Sequence, residues 1–154
     1  MSWHKAADVV RWHIQPFIGG RYRASRSTDR VDNINPGTES VLCGVPVGDP
    51  ADVDDAVHAA RCAFTSGCWS RLTPTRRMEI LLRLAELIVQ RAPDLALLDS
   101  LEMGKPIRAA LFDAEHFAPE RLRSWAGFAD KLLGAAAPLT PGFWYSTSTN
   151  LVVS

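Results

Sequence analysis

The sequence predicts an α/β fold, and three observations carry the prediction. Residues 17–47 hold short apolar runs separated by Gly-Gly and Asn-Pro-Gly turn signals. Residues 49–127 place apolar side chains at helical spacing between capping residues, prolines and glycines. Residues 143–153 are aromatic, hydroxyl-bearing and β-branched with no charge, which is the composition of a strand.

Taken in order, Phe17 to Tyr22 reads as a hairpin around Gly19-Gly20. Val31 to Ile34 is a second strand, stopped by Asn35-Pro36-Gly37, where proline sets φ and glycine tolerates a turn. Val41 to Val47 is a third. Pro46 has no N–H to give a ladder, which puts this strand at an edge. Asp49-Pro50-Ala51-Asp52 then opens a helix with a cap and a first-turn proline. Val53, Ala56, Val57, Ala60 and Phe64 share one face of it and are expected to be core, and Gly67 stops it.

Thr73-Pro74 opens a second helix, with Met78, Leu81, Leu84, Ala85 and Ile88 inward and Arg76, Arg77, Glu79, Arg83 and Glu86 mostly in water. Pro93 separates it from a third, Asp94 to Met103, closed by Gly104. A fourth starts at Pro106 and runs to about Gly127, and Pro119 should bend it or break it in two. A short helix is expected from Phe128 to Leu133. Residues 134–142, with two prolines and three alanines, read as a connector to the last strand. From Leu132 to Ser154 there is no charged residue, so an isolated strand there would be a pairing liability.

Composition excludes several function classes. The 154 residues suffice for one domain with a core, and 17 Lys+Arg balance 17 Asp+Glu. Net neutrality argues against nucleic-acid binding through massed positive charge. With 47% apolar and 22% charged residues the chain reads as globular. No apolar run nears the ~20 residues of a membrane helix, and residues 1–13 lack the unbroken apolar stretch of a signal peptide. Three cysteines, an odd number, point to free thiols in a reducing, cytoplasmic setting.

Candidate chemistry is sparse. A nucleophilic Cys43, Cys62 or Cys68 would need a base or positive surroundings. Cys43 lies in an apolar strand and Cys62 beside the apolar helix face, so both are expected to be buried and inert; Cys68, in a turn, is expected nearer the surface. Cys62 and Cys68 have no neighbours that complete a zinc set. His4, His13, His58 and His116 show no metal-ligand spacing, and solvated or capping roles are expected. His116, near Asp113 and Glu120, could form a local acid–base group or a plain surface charge pair. Arg21, Arg23, Arg26 and Arg30 could hold a phosphate, although Asp29 and Asp32 offset part of their charge and a solvated loop is the expectation. There is no G-x-G-x-x-G and no G-x-x-x-x-G-K-[ST], and Gly104-Lys105-Pro106 is too short for a phosphate loop.

The order of these segments resembles the N-terminal third of the aldehyde dehydrogenase superfamily. The resemblance rests on Phe17 to Tyr22, Ile34-Asn35-Pro36-Gly37, Val45 to Asp49, Asp52 to Val57 and Ala59 to Phe64. It continues through Trp69 to Pro74, Arg76-Arg77, Leu81 to Ile88, Leu101-Glu102-Met103-Gly104-Lys105-Pro106 and Ala126 to Lys131, covering residues 17–154. The wording around Leu97 to Arg108, with Trp125, is most similar to the γ-glutamyl-aminoaldehyde and betaine-aldehyde branches.

That resemblance implies an aldehyde-dehydrogenase-like but truncated fold: a β-hairpin arm and helices of the cofactor domain (residues 1–133), a connector (134–142) and the start of an oligomerisation strand (143–154). It implies, for a complete enzyme, attack of a cysteine thiolate on an aldehyde, hydride transfer to NAD or NADP, and thioester hydrolysis by a glutamate-activated water. The asparagine of the oxyanion hole, the dinucleotide-binding core, the glutamate and the cysteine nucleophile of that mechanism have no counterpart here. No catalytic or cofactor-binding residue is therefore assigned, and the chain alone is expected to be inactive. The resemblance places a structural K+ or Na+ at the main-chain carbonyls of Asn33 and Ile34 and at Glu102, where many members have Asp. It places Asp113 and Phe117 on the helix lining the substrate tunnel. It implies homo- or hetero-oligomers paired through Phe143 to Val153. The competing expectation is a non-catalytic module that pairs with a full-length relative or a separately encoded remainder; a free-standing helical binding protein is a third.

Overall fold

A computed structural model describes residues 3–131, 135–140 and 143–147. A short helix, α1 (Trp3–Ala7), precedes the hairpin of β1 (Phe17–Ile18) and β2 (Arg21–Tyr22). A second hairpin follows, β3 (Arg30–Ile34) with β4 (Val41–Pro46), antiparallel with Asn33 opposite Cys43. The register slips between Asn33 and Ile34, so that Ile34 faces Val41. Pro46 lies at the end of a strand whose one partner among the described residues is β3, as its missing N–H requires.

Helices α2 (Pro50–Ser66), α3 (Pro74–Gln90) and α4 (Ala92–Met103) follow, each with a proline in its first turn. Asp49 caps α2, accepting from the N–H of Ala51 at 2.8 Å, and Thr73 caps α3, accepting from that of Arg76 at 3.2 Å. Gly67 and Gly104, both left-handed, close α2 and α4. On the outer face of α3, Arg76 pairs with Glu79 and Arg83 with Glu86, one turn apart.

The expected break at Pro119 takes a specific form. Helix α5 (Ile107–Phe112) runs into a π-helical turn (Asp113–Phe117) and on into α6 (Ala118–Ala126). Proline has no N–H for the carbonyl four residues back, and its ring crowds that carbonyl. The wider turn just before it, closed by the Ala118 N–H on the Asp113 carbonyl, absorbs the misfit. Pro119 itself is fully buried.

The core sits where α3 packs on α6 and α4 on α5. Its most buried residues are small: Ala85, Ala92, Ala96, Ala110 and Ala126, with Pro119. Small side chains let the helix backbones approach closely. On α3, Met78, Leu81 and Ile88 are half-buried beside Ala85 as expected, while Leu84 is exposed.

Four expectations are corrected. The apolar face of α2 is not core: Val53, Val57 and Phe64 are 56%, 52% and 63% exposed. Periodicity shows which face is apolar, and the neighbours of this helix, β1 and the segment of Ser25 and Arg26, lie on another side of it. After Gly127 the described residues form consecutive turns with i→i−3 bonds, such as Phe128 N–H to the Trp125 carbonyl, and not the expected helix; Leu132 and Leu133 lie outside the described residues. The stretch read as a connector contains β5 (Ala135–Thr140), antiparallel to β6 (Phe143–Thr147). The last strand is therefore not isolated over Phe143–Thr147, and its expected continuation to Val153 lies outside the described residues. Alanine and proline are poor strand formers, so pairing with β6 overrides local propensity, with a register shift between Pro138 and Thr140. Among the described residues no helix is long and apolar enough to cross a membrane.

Candidate functional site

The last turn of α4 meets the end of β3. Asn33 Nδ2 donates to Glu102 Oε1 at 3.0 Å, across 69 residues of chain. Two steps on, Gly104 carries φ +69°, and a Cβ there would lie 3.1 Å from Pro36 Cγ. Glycine is needed at this point both for its backbone angle and for the close approach. The turn it touches is closed by its own hydrogen bonds: Asn35 Oδ1 accepts from the Gly37 N–H at 2.8 Å, and the Asn35 carbonyl from that of Glu39 at 2.8 Å. A cleft of about 370 Å³ opens beside the contact, with Trp12, His13, Cys43 and Gly48 among its walls. Of the three residues expected at a cation, Asn33 and Glu102 touch through their side chains; Ile34 adjoins them at the register slip.

Lys105 ties the start of the next helix to its neighbours. Its ammonium lies 3.3 Å from Asp99 Oδ2 and hydrogen-bonds Asp113. The Asp113 carboxylate, followed by that of Asp99, raises the Lys105 pKa above its usual value. Asp113 is thus engaged by a lysine. Phe117 is exposed, with the Arg121 guanidinium 4.8 Å from its ring centre. The acid–base group or charge pair considered for His116 does not form: its ring stacks on Phe112 at 4.9 Å, while Asp113 faces Lys105.

The arginine cluster is partly neutralised, by different carboxylates from those expected. Arg23 Nη2 and Arg26 Nη2 lie 3.0 and 2.9 Å from Asp55 Oδ2 on α2, and Arg26 Nη1 lies 3.4 Å from Asp52. Arg30 donates to the Gly44 carbonyl at 3.1 Å. Asp52 is the one buried charged residue among those described, at 4% exposure. It accepts from Ser25 Oγ at 2.7 Å, from the Arg26 N–H at 3.0 Å and from the Asp49 N–H at 3.3 Å. These donors, Ser25 foremost, hold its carboxyl below the ordinary 3.8. Sequence reasoning missed this anchor, although Asp49 with an acid three residues on is the local signature of a capping box.

The thiols also differ from expectation. Cys43 is half-buried, but Cys62 is exposed, on the side of α2 opposite the open stripe of Val53 and Phe64. Its Sγ is 3.4 Å from His58 Nε2. Cys68 is exposed and donates to the Ala63 carbonyl at 3.3 Å. His13 stacks on Tyr22 at 5.0 Å. Among the described residues no group of three or more His, Cys, Asp or Glu side chains is placed to hold a metal ion.

The model of the aldehyde dehydrogenase family matches residues 22–152. Aldehyde dehydrogenase 1 of Tanacetum cinerariifolium is 40% identical over 127 residues, which are 82% of this chain and 26% of that protein. The NADP/NAD-dependent aldehyde dehydrogenase PuuC of Escherichia coli is 37% identical over 88% of this chain and 27% of its own. An indole-3-acetaldehyde dehydrogenase of P. syringae, solved with NAD+, superposes with a TM-score of 0.84 at 38% identity, over 91% of this chain and 28% of that one. A γ-glutamyl-γ-aminobutyraldehyde dehydrogenase of Burkholderia cenocepacia superposes with a TM-score of 0.84 at 33% identity, over 90% of this chain and 28% of that one. The chain spans about a quarter of the length of the curated relatives it matches, 26% and 27% for these two. Its hairpins, its helices and the arrangement of its segments are those of the N-terminal part of that fold, and the chain belongs to the aldehyde dehydrogenase family.

Proposed function

We propose that this chain is the N-terminal part of an NAD- or NADP-dependent aldehyde dehydrogenase, which in complete form oxidises an aldehyde to a carboxylic acid, and that the chain alone does not catalyse the reaction. The observation that carries this reading is the family match over residues 22–152, with superposition on 28% of an NAD+-bound relative. Two features support inactivity of the chain alone. The sequence holds no glycine-rich dinucleotide loop. Cys62, the thiol with a histidine beside it, lies on an exposed helix face, whereas a substrate site is ordinarily an enclosed cleft.

The Asn33–Glu102 contact supports a structural K+ or Na+ site. The donor set is the carboxylate of Glu102 with the main-chain carbonyls of Asn33 and Ile34, all oxygen, which suits a hard cation. The register slip interrupts the β3–β4 ladder at those two residues. Asp113 and Phe117 are proposed to border the aldehyde tunnel. There Phe117 would shape the wall, while Asp113, held by Lys105, would fix the π-helical turn. Oligomerisation through Phe143 to Val153 and a cytoplasmic location complete the reading.

The test is direct. The purified chain, given NAD+ or NADP+ and indole-3-acetaldehyde, a γ-aminoaldehyde or betaine aldehyde, should form no reduced nicotinamide. Turnover that survives repurification and disappears on Cys68→Ser would overturn the reading.

A further inference from the structure

Three thiols sit in three different settings, and one of them has a base. Cys43 is half-buried in β4. Cys68 gives its proton to the Ala63 carbonyl, a neutral acceptor that cannot take it away. Cys62 is exposed, four residues after His58 on the same side of α2, with Sγ 3.4 Å from Nε2. The thiolate, not the thiol, is the nucleophile in disulfide exchange, and an adjacent imidazole can accept the proton. The pair also lies away from the helix's apolar stripe. At about 100° per residue, His58 and Cys62 stand about 140° and 180° around the axis from Val53, while Val57, Ala60 and Phe64 stay within about 40° of it.

We propose that Cys62, assisted by His58, is a site of reversible modification by low-molecular-weight disulfides of the glutathione type. His58 Nε2 takes the proton from Sγ. The thiolate attacks one sulfur of the disulfide, the new S–S bond forms as the old one breaks, and the departing thiolate takes the proton back from the imidazolium. One protein thiol and one disulfide become one mixed disulfide and one free thiol, with no other oxidant. Excess small thiol reverses the exchange.

The test uses the full chain with Cys43→Ser and Cys68→Ser, carrying either His58 or His58→Gln, mixed with glutathione disulfide at pH 7 and followed by intact mass. The His58 protein should gain one glutathione, and His58→Gln should react at least about tenfold more slowly. The difference should close above about pH 9, where a thiol ionises unaided, and in concentrated urea, where the helix is gone. Equal rates in the folded proteins at pH 7 would overturn the proposal. A second measurement needs no histidine variant: in the unsubstituted chain, peptide mapping at early times should find Cys62 modified ahead of Cys68, and the reverse order would also overturn it.

Discussion

Helix α2 and the paired helices α3 and α6 carry the same kind of apolar stripe and end in opposite states. On α3 the stripe is covered except at Leu84: Ala85 is fully buried, with Met78, Leu81 and Ile88 half-buried around it, and Ala126 closes the facing helix. On α2 the stripe of Val53, Val57 and Phe64 lies open, and the helix is fixed from another side. There Asp52 gathers Ser25, Arg26 and the Asp49 N–H, while Asp55 holds Arg23 and Arg26. The comparison separates two ways of holding a helix. One region is held by close packing of small side chains, the other by a cap and a buried carboxylate. Substitutions should therefore act on the two regions by different mechanisms.

The largest effect is expected in the packed region. Ala126→Leu puts a large side chain where no space exists, and overpacking costs about 1–3 kcal/mol. A drop of several degrees in the thermal midpoint would register it, since about 1 kcal/mol corresponds to about 2–4 °C at this size. An unchanged midpoint would show that α3 and α6 are not closely packed.

Next comes the polar anchor. Asp52 has a folded pKa below 3.8. Its contribution is complete above the unfolded carboxyl's value and is lost as pH falls through the lower folded one. Asp52→Asn should lower the thermal midpoint at pH 7 by less than Ala126→Leu does, and should flatten the fall in stability below about pH 4. An identical acid limb in the two proteins would remove Asp52 from the anchor.

A smaller loss is expected where α4 meets the Asn35-Pro36-Gly37 turn. Gly104→Ala forces a side chain into a left-handed backbone and against Pro36, with Cβ 3.1 Å from Cγ. The cost is about 1 kcal/mol, read from the urea midpoint. Smallest of all is Phe64→Ser on the open stripe, which should stay within about 0.5 kcal/mol.

The same contrast shows what the sequence could reveal. Hairpins, caps and stops were legible because their chemistry is local: Gly19-Gly20, Asn35-Pro36-Gly37, Asp49-Pro50, Thr73-Pro74 and Gly104 each stand where expected. Pro119 was legible as a break, but its resolution into a π-helical turn depends on how α5 and α6 pack against α3 and α4. The open stripe of α2 was not legible, because periodicity reports which face is apolar and not what covers it. Burial of Asp52 and the exposure of Cys62 follow from contacts across the fold and were missed for that reason. Asn33 and Glu102 came together on family resemblance; no local rule links residues 69 positions apart.

The claim that α2 leaves its apolar face uncovered in this chain is tested most directly with an environment-sensitive apolar dye. The chain is compared with a triple variant carrying Val53→Ser, Val57→Ser and Phe64→Ser, with the thermal midpoint measured on the same samples. The unsubstituted chain should bind the dye, and the variant should bind measurably less of it while its midpoint changes by no more than a few degrees. An unsubstituted chain that binds no dye, or a variant that unfolds, would mean that the face is core and would contradict the account.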